Sequence, residues 1–128
     1  MPTIVFIGTV FSGTGNGKKF IDLPWVKQQI EEKLGFSPYS GTLNIHLTKE
    51  GAKKISLLET TKGILVEPKV GYFPGVLFKA HIDFLESAVV IPKLPSYPKD
   101  VLEIIAPVYL REQLKLVDGS LVTVTVNV

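Results

Sequence analysis

Short segments rich in valine and isoleucine recur along this 128-residue chain, at 3–10, 43–47, 64–70, 76–82, 87–91, 101–105 and 121–127. Each has the length of a strand, and glycines and prolines fall between them as turns require. The last is the clearest. Val122, Val124 and Val126 alternate with Thr123 and Thr125, the period of a strand with one buried face. Many short strands and few helices predict a mainly β chain folded as one domain over residues 1–128, with the sheet closed into a barrel. Around it we expect two or three short peripheral helices. Pro24 suits the first position of a helix over 24–34 and Gly35 the residue past its end, with Val26, Ile30 and Leu34 on the buried face. A second begins at Pro107 and carries 108–114, before an Asp118-Gly119 turn into the last strand. The stretch 48–58 is open between helix and loop, because Gly51 and its β-branched residues weigh against a helix.

Hydrophobic residues make up 45% of the chain and charged residues 20%, which excludes a disordered, tail-like protein. The formal net charge of +2 identifies no partner, and the lysines are scattered from Lys18 to Lys115 with acids between them. No nucleic-acid partner is expected, since that would call for a clustered basic face. Cysteine is absent, so thiolate metal sites and cysteine nucleophiles are excluded. Met1-Pro2-Thr3-Ile4 shows no basic leader, and no apolar run approaches the roughly 18 residues of a membrane span. A cytoplasmic protein without membrane contact is therefore expected.

Four segments hold candidate chemistry. Ser12-Gly13-Thr14-Gly15-Asn16-Gly17-Lys18-Lys19 follows a strand and concentrates glycines and lysines in one loop. Such a loop can press bare backbone N–H groups against a phosphate, although it matches neither the Walker nor the dinucleotide-binding pattern, and a glycine-rich turn is more often a mobile hairpin loop than a phosphate cradle. In Gly41-Thr42-Leu43-Asn44-Ile45-His46-Leu47, the alternation puts Thr42, Asn44 and His46 on one face. A hydroxyl and an amide carbonyl there are hard oxygen ligands suited to magnesium once phosphates add charge. A solvated polar face is the plainer alternative.

Glu103 lies within Val101-Leu102-Glu103-Ile104-Ile105-Ala106-Pro107, on the face of Val101 and Ile105. A buried carboxylate must be paired or hydrogen-bonded, or its pKa rises, and either condition suits a group that accepts a hydroxyl proton. A solvated edge or a structural ion pair would also account for it. Arg111, in Leu110-Arg111-Glu112-Gln113, is the lone arginine among fourteen basic residues. Its planar fork suits a directional contact to phosphate, carboxylate or a base edge, or a surface ion pair. His46 and His81 have no ligand spacing that would make a zinc site. Tyr39, Tyr72, Phe73, Tyr97 and Trp25 are aromatics of core or stacking type with no assigned site.

Taken in order, these pieces resemble the archaeal CTP-dependent riboflavin kinases. The likeness runs from Val10-Phe11-Ser12-Gly13, through Leu34-Gly35-Phe36-Ser37-Pro38-Tyr39-Ser40-Gly41-Thr42-Leu43-Asn44, to Glu103-Ile104-Ile105-Ala106-Pro107, Leu110-Arg111-Glu112-Gln113-Leu114 and Asp118-Gly119. The resemblance implies a six-stranded cradle-loop β-barrel that transfers the γ-phosphate of Mg-CTP to the 5′-hydroxyl of riboflavin, giving FMN and CDP. It implies nucleotide contacts from Gly13, Thr14, Gly15, Asn16, Gly17, Lys18 and Lys19 and from Leu110, Arg111, Glu112 and Gln113. It further implies magnesium on Thr42 and Asn44 and flavin contacts from Ser96 and Glu103, with Glu103 also the candidate catalytic group. The chain departs from the family pattern at Ser96, where threonine is expected, and at Ser120, where an acid is usual. A monomer is expected. The rival from another class is a non-catalytic barrel module binding nucleotide, flavin or DNA.

Overall fold

The computed structural model describes residues 2–128. Its elements in chain order are β1 (Thr3–Phe11), α1 (Asn16–Ile21), α2 (Pro24–Leu34), β2 (Leu43–Leu47), α3 (Lys49–Glu59), β3 (Ile64–Val66), β4 (Gly75–Ile82), β5 (Leu85–Pro92), β6 (Val101–Ile105), α4 (Leu110–Gln113) and β7 (Leu121–Asn127). The sheet order β3-β4-β5-β6-β2-β1-β7 closes through a β4–β7 pairing, so β4, β5, β6, β2, β1 and β7 form a six-stranded barrel in which every pairing is antiparallel. β3 is an additional strand. It pairs with Gly75 to Leu77 of β4, while β7 takes the same edge at Ala80 to Ile82.

Two bodies of apolar contact explain the strand sequences. Inside the barrel, Phe6, Ile45, Phe78, Val89, Leu102, Ile104, Val124 and Val126 interlock. Outside it, Ile21, Val26 and Ile30 of α1 and α2 cover Leu77, Ala88, Val90 and Ile105 on the outer wall. β4 and β5 are thus covered on both faces in places, and β5 reads as an unbroken apolar run, Ala88-Val89-Val90-Ile91. β7 has one buried face and keeps the strict alternation.

Three expectations need correction. The segment from Asn16 onward is not loop but the short helix α1, fixed where Ile21 is fully buried and Phe20 packs beside it. The strand expected over 64–70 stops at Val66, because Pro68 brings no N–H for a ladder and the chain turns away from the sheet. The helix expected from Pro107 is confined to Leu110–Gln113. The open stretch 48–58 is helical, with Thr48 Oγ1 accepting from Gly51 N at 3.1 Å as an N-terminal cap. Among the described residues no helix is long and apolar enough to cross a membrane.

Candidate active site

β2 and β6 run side by side in antiparallel register, with Asn44 opposite Glu103. Directly opposed residues share a face. Leu43, Ile45, Leu102 and Ile104 point into the barrel, so Asn44 and Glu103 stand on its outer wall, with Thr42 just before β2. That wall is the floor of a cleft of about 720 Å³. One side of the cleft is the 11–21 segment, and the other is the Pro92–Pro98 loop with Tyr97.

The floor carries a closed set of hydrogen bonds. Thr42 Oγ1 donates to Glu103 Oε1 at 3.0 Å, and Tyr97 Oη donates to Glu103 Oε2 at 2.6 Å. Both carboxylate oxygens of this half-buried side chain therefore accept a proton donor, and each keeps further lone-pair capacity facing the cleft. Burial, the neighbouring Glu103 charge and the hydrogen bond to it hold the Tyr97 hydroxyl well above the usual phenol range.

The glycines of the 13–17 segment are set by close approach to this floor. A side chain at Gly13 would run into the Asn44 amide, and one at Gly17 into Glu103 Oε1 and Thr42 Oγ1. Only bare backbone lies that near. The segment is tied down at both ends. Ser12 Oγ donates to the Asp118 carboxylate at 2.8 Å, and Ser40 Oγ donates to Asp22 at 2.7 Å beyond the end of α1.

Arg111 reaches the cleft from the opposite end of the chain. Its Nη2 donates to Asp118 Oδ1 at 2.8 Å and to the Phe11 carbonyl at 3.3 Å. These hydrogen bonds, from Arg111 first and then Ser12, hold the Asp118 carboxyl below the usual carboxylate range. Beside Arg111, Tyr39 and Tyr109 stack with ring centroids 4.9 Å apart and planes inclined by 15°. The two tyrosines flank a hollow of about 70 Å³ that shares Thr42 and Arg111 with the cleft.

The structure thus brings Gly13, Thr14, Gly15, Asn16, Gly17, Lys18, Thr42, Asn44, Ser96, Glu103 and Arg111 to one cleft. It does not bring every expected residue there. Lys19 lines a neighbouring cavity instead. Leu110 is buried in the barrel core, and Glu112 and Gln113 are exposed and do not line the cleft. Ser96 lines the cleft without a hydrogen bond to Glu103; that contact belongs to the next residue, Tyr97. Sequence reasoning passed over Tyr97 as a site residue, and the signal available was a hydroxyl-bearing aromatic between prolines shortly before the strand of Glu103.

Thr42, Asn44 and Glu103 offer a hydroxyl, an amide oxygen and a carboxylate, all hard oxygen donors. Thr42 spends its hydrogen on Glu103, which leaves its oxygen lone pairs free for a cation. The donor set fits magnesium whose remaining positions are filled by water and phosphate oxygens. Among the described residues no group of three or more His, Cys, Asp or Glu side chains forms an all-protein metal cage.

Comparison with known proteins places these features. A family model named for CTP-dependent riboflavin kinases, and described as domain of unknown function DUF120, matches residues 10–126. Riboflavin kinase of Archaeoglobus fulgidus is 44% identical over 97% of this chain and 55% of its own length. That of Pyrobaculum aerophilum is 42% identical over 97% of this chain and 61% of its own length. That of Ignicoccus hospitalis is 38% identical over 93% of this chain and 69% of its own length. The chain spans little more than half the length of the first two relatives.

Proposed function

This chain belongs to the CTP-dependent riboflavin kinase family, and from that premise we propose that it phosphorylates riboflavin with CTP as donor. The observation that carries the reading is the convergence of Gly17, Thr42, Tyr97 and Glu103 within one cleft, from three separate parts of the chain. In the proposed reaction the riboflavin 5′-oxygen forms a bond to the γ-phosphorus as the bond from that phosphorus to the β–γ bridging oxygen breaks. FMN and CDP result, and the hydroxyl proton leaves toward Glu103.

Phosphoryl transfer asks the protein for position and charge neutralisation more than covalent chemistry. The backbone N–H groups of residues 13–17 and the Lys18 ammonium meet the phosphates, and Arg111 closes the nucleotide end of the cleft. Thr42 and Asn44 hold magnesium, which when bound offsets the negative charge of the phosphate oxygens. Glu103 accepts a hydrogen bond from the 5′-hydroxyl and fixes it in line, while Thr42 and Tyr97 keep the carboxylate from turning away. Ser96, on the rim beside Tyr97, meets the flavin. A cytoplasmic location goes with this reading.

Incubation of the purified protein with riboflavin, magnesium and either CTP or ATP, followed by chromatography for FMN, tests this. FMN from CTP and none from ATP is expected. No FMN with either donor overturns the kinase reading and leaves the binding-module alternative, for which salt-sensitive DNA binding would then be measured.

A further inference from the structure

His46 follows Asn44 on the outer face of β2, and the reaction proposed above gives it no task. In register, Phe11 of β1 stands opposite Asn44, and Asn44 opposite Glu103 of β6. The next outward-facing row is Thr9, His46 and Val101. Directly opposed residues share a face, so His46 lies one row away from the line of Phe11, Asn44 and Glu103.

Two contacts make His46 more than a solvated strand residue. Its Nε2 donates to Asp100 Oδ2 at 2.8 Å, since a carboxylate oxygen has only lone pairs to offer. Asp100 is itself anchored, because its carbonyl accepts from Leu47 N at 2.7 Å. The imidazole ring also meets the Phe11 ring, with centroids 5.8 Å apart and planes inclined by 66°, an edge-on aromatic contact. Phe11 lines the cleft.

The Asn44 amide is bounded by Phe11 on one side, Glu103 on the other and the close-lying Gly13. Glu103 is clamped by Thr42 and Tyr97, and the segment of Gly13 is tied through Ser12 to Asp118. A phenyl ring has no hydrogen bond to hold it, so Phe11 depends on packing, and His46 supplies it. The side chains of His46 and Asp100 are 58% and 50% exposed, and a pair that open adds little to folding stability. What it adds is the placement of the Phe11 ring.

We propose that His46 is a positioning residue for the kinase: anchored by Asp100, it holds the Phe11 ring beside Asn44 and so keeps the Asn44 amide oxygen available to a metal. The inference rests on the riboflavin kinase reading with magnesium at Thr42 and Asn44. An amide offers a cation its oxygen and never its NH₂ group. With Phe11 loose, the amide can turn, and the NH₂ group then stands where the oxygen is needed.

Two measurements on the full chain test this. One is the magnesium concentration that gives half-maximal FMN formation at saturating CTP and riboflavin. The other is manganese(II) binding in the presence of CDP, followed by electron paramagnetic resonance with no turnover. Asp100→Ala removes the anchor, and His46→Gln keeps a donor for Asp100 but has no ring. Each should raise the magnesium requirement and weaken manganese binding about tenfold, the lower end of what loss of a group supporting a metal ligand produces. The combined variant should lose no more than either alone, because both act through Phe11. Asp100→Asn keeps an acceptor oxygen for Nε2 and should behave as the unsubstituted protein does. Lys99→Ala is the control: it removes the neighbouring Lys99–Glu59 bridge from the same stretch of chain and should change neither reading. Unchanged manganese binding in Asp100→Ala and His46→Gln, additive losses in the combined variant, or an equal loss in Lys99→Ala overturns the role of His46, and FMN formation by the unsubstituted protein then leaves the kinase reading intact. An unsubstituted protein that makes no FMN overturns the kinase reading, and the role of His46 with it.

Discussion

The phenol of Tyr97 donates to Glu103 Oε2 at 2.6 Å on the floor of the cleft, from a loop residue to a strand residue six positions later. With Thr42 on the other oxygen, the Glu103 carboxylate is clamped at both ends. A carboxylate that receives two donors is an acceptor by construction, so Glu103 is equipped to take a hydrogen bond or a proton from a substrate hydroxyl and has none of its own to give.

Tyr97 should stay protonated at a pH where an ordinary phenol ionises. Its pKa is raised first by burial, then by the charge of Glu103. Ultraviolet titration of the folded protein should therefore show a tyrosine that fails to ionise near pH 10, the ordinary phenol value. The sign for stability follows. A folded pKa above the unfolded value means that the contribution is complete below about pH 10 and is lost as the pH rises further. In Tyr97→Phe the anomalous tyrosine should vanish from the titration. If all four tyrosines of the unsubstituted protein ionise together, the clamp does not exist in solution.

Glu103→Gln keeps size and hydrogen-bonding capacity but makes a poor proton acceptor. Turnover should fall about 10²- to 10⁴-fold, the usual contribution of a positioned base. The KM for CTP should change little, since the glycine segment and Arg111 are untouched. Near-wild-type turnover would remove the base role and leave Glu103 as a flavin anchor.

The barrel was readable from the chain to the extent that strands have one buried face. β7 and β2 alternate cleanly, and their limits agree with the expected 121–127 and 43–47. α2 was equally plain, because Pro24 and Gly35 mark its ends. α1 was not, since a segment with Gly13, Gly15 and Gly17 has no local preference for helix and is held by the burial of Ile21 against the barrel wall. In the site, the alternation around Thr42 and Asn44 was legible from residue spacing. The clamp on Glu103 was not, because it depends on where the Pro92–Pro98 loop folds back, a tertiary fact with no period in the sequence. Likewise Arg111 and Asp118 meet across a turn, and the lone arginine announced a directional contact without naming its partner.

Asp118 should titrate low. Arg111 and Ser12 both donate to its carboxylate, and its folded pKa lies below the ordinary value. Its contribution to stability is then present above the unfolded pKa of about 3.9 and is lost only as the pH falls through the lower folded value. Carbon-13 NMR of the carboxyl should show the midpoint under that reference and a shift back toward it in Arg111→Lys, where a point charge replaces the fork. An ordinary midpoint in both proteins would show that the tie between the cleft entrance and the 118–119 turn is not formed.

Gly17→Ala separates stability from function. Gly17 lies inside α1, where alanine is favoured over glycine by about 1 kcal/mol, so on helix preference alone the variant should be the more stable protein. The added methyl group, however, would occupy the position of Glu103 Oε1 and Thr42 Oγ1. Either the segment lifts from the floor or the carboxylate turns, and in both cases the backbone N–H groups proposed to meet phosphate and the Glu103 carboxylate lose their mutual placement. Turnover should fall about a hundredfold, the size of loss that misplacement of a reacting group produces. The melting temperature, measured in the same preparation, should stay within about 4 °C of the unsubstituted value, because the helix gain offsets the local clash. Retained activity in Gly17→Ala would mean that α1 does not rest on Thr42 and Glu103 when substrates are bound.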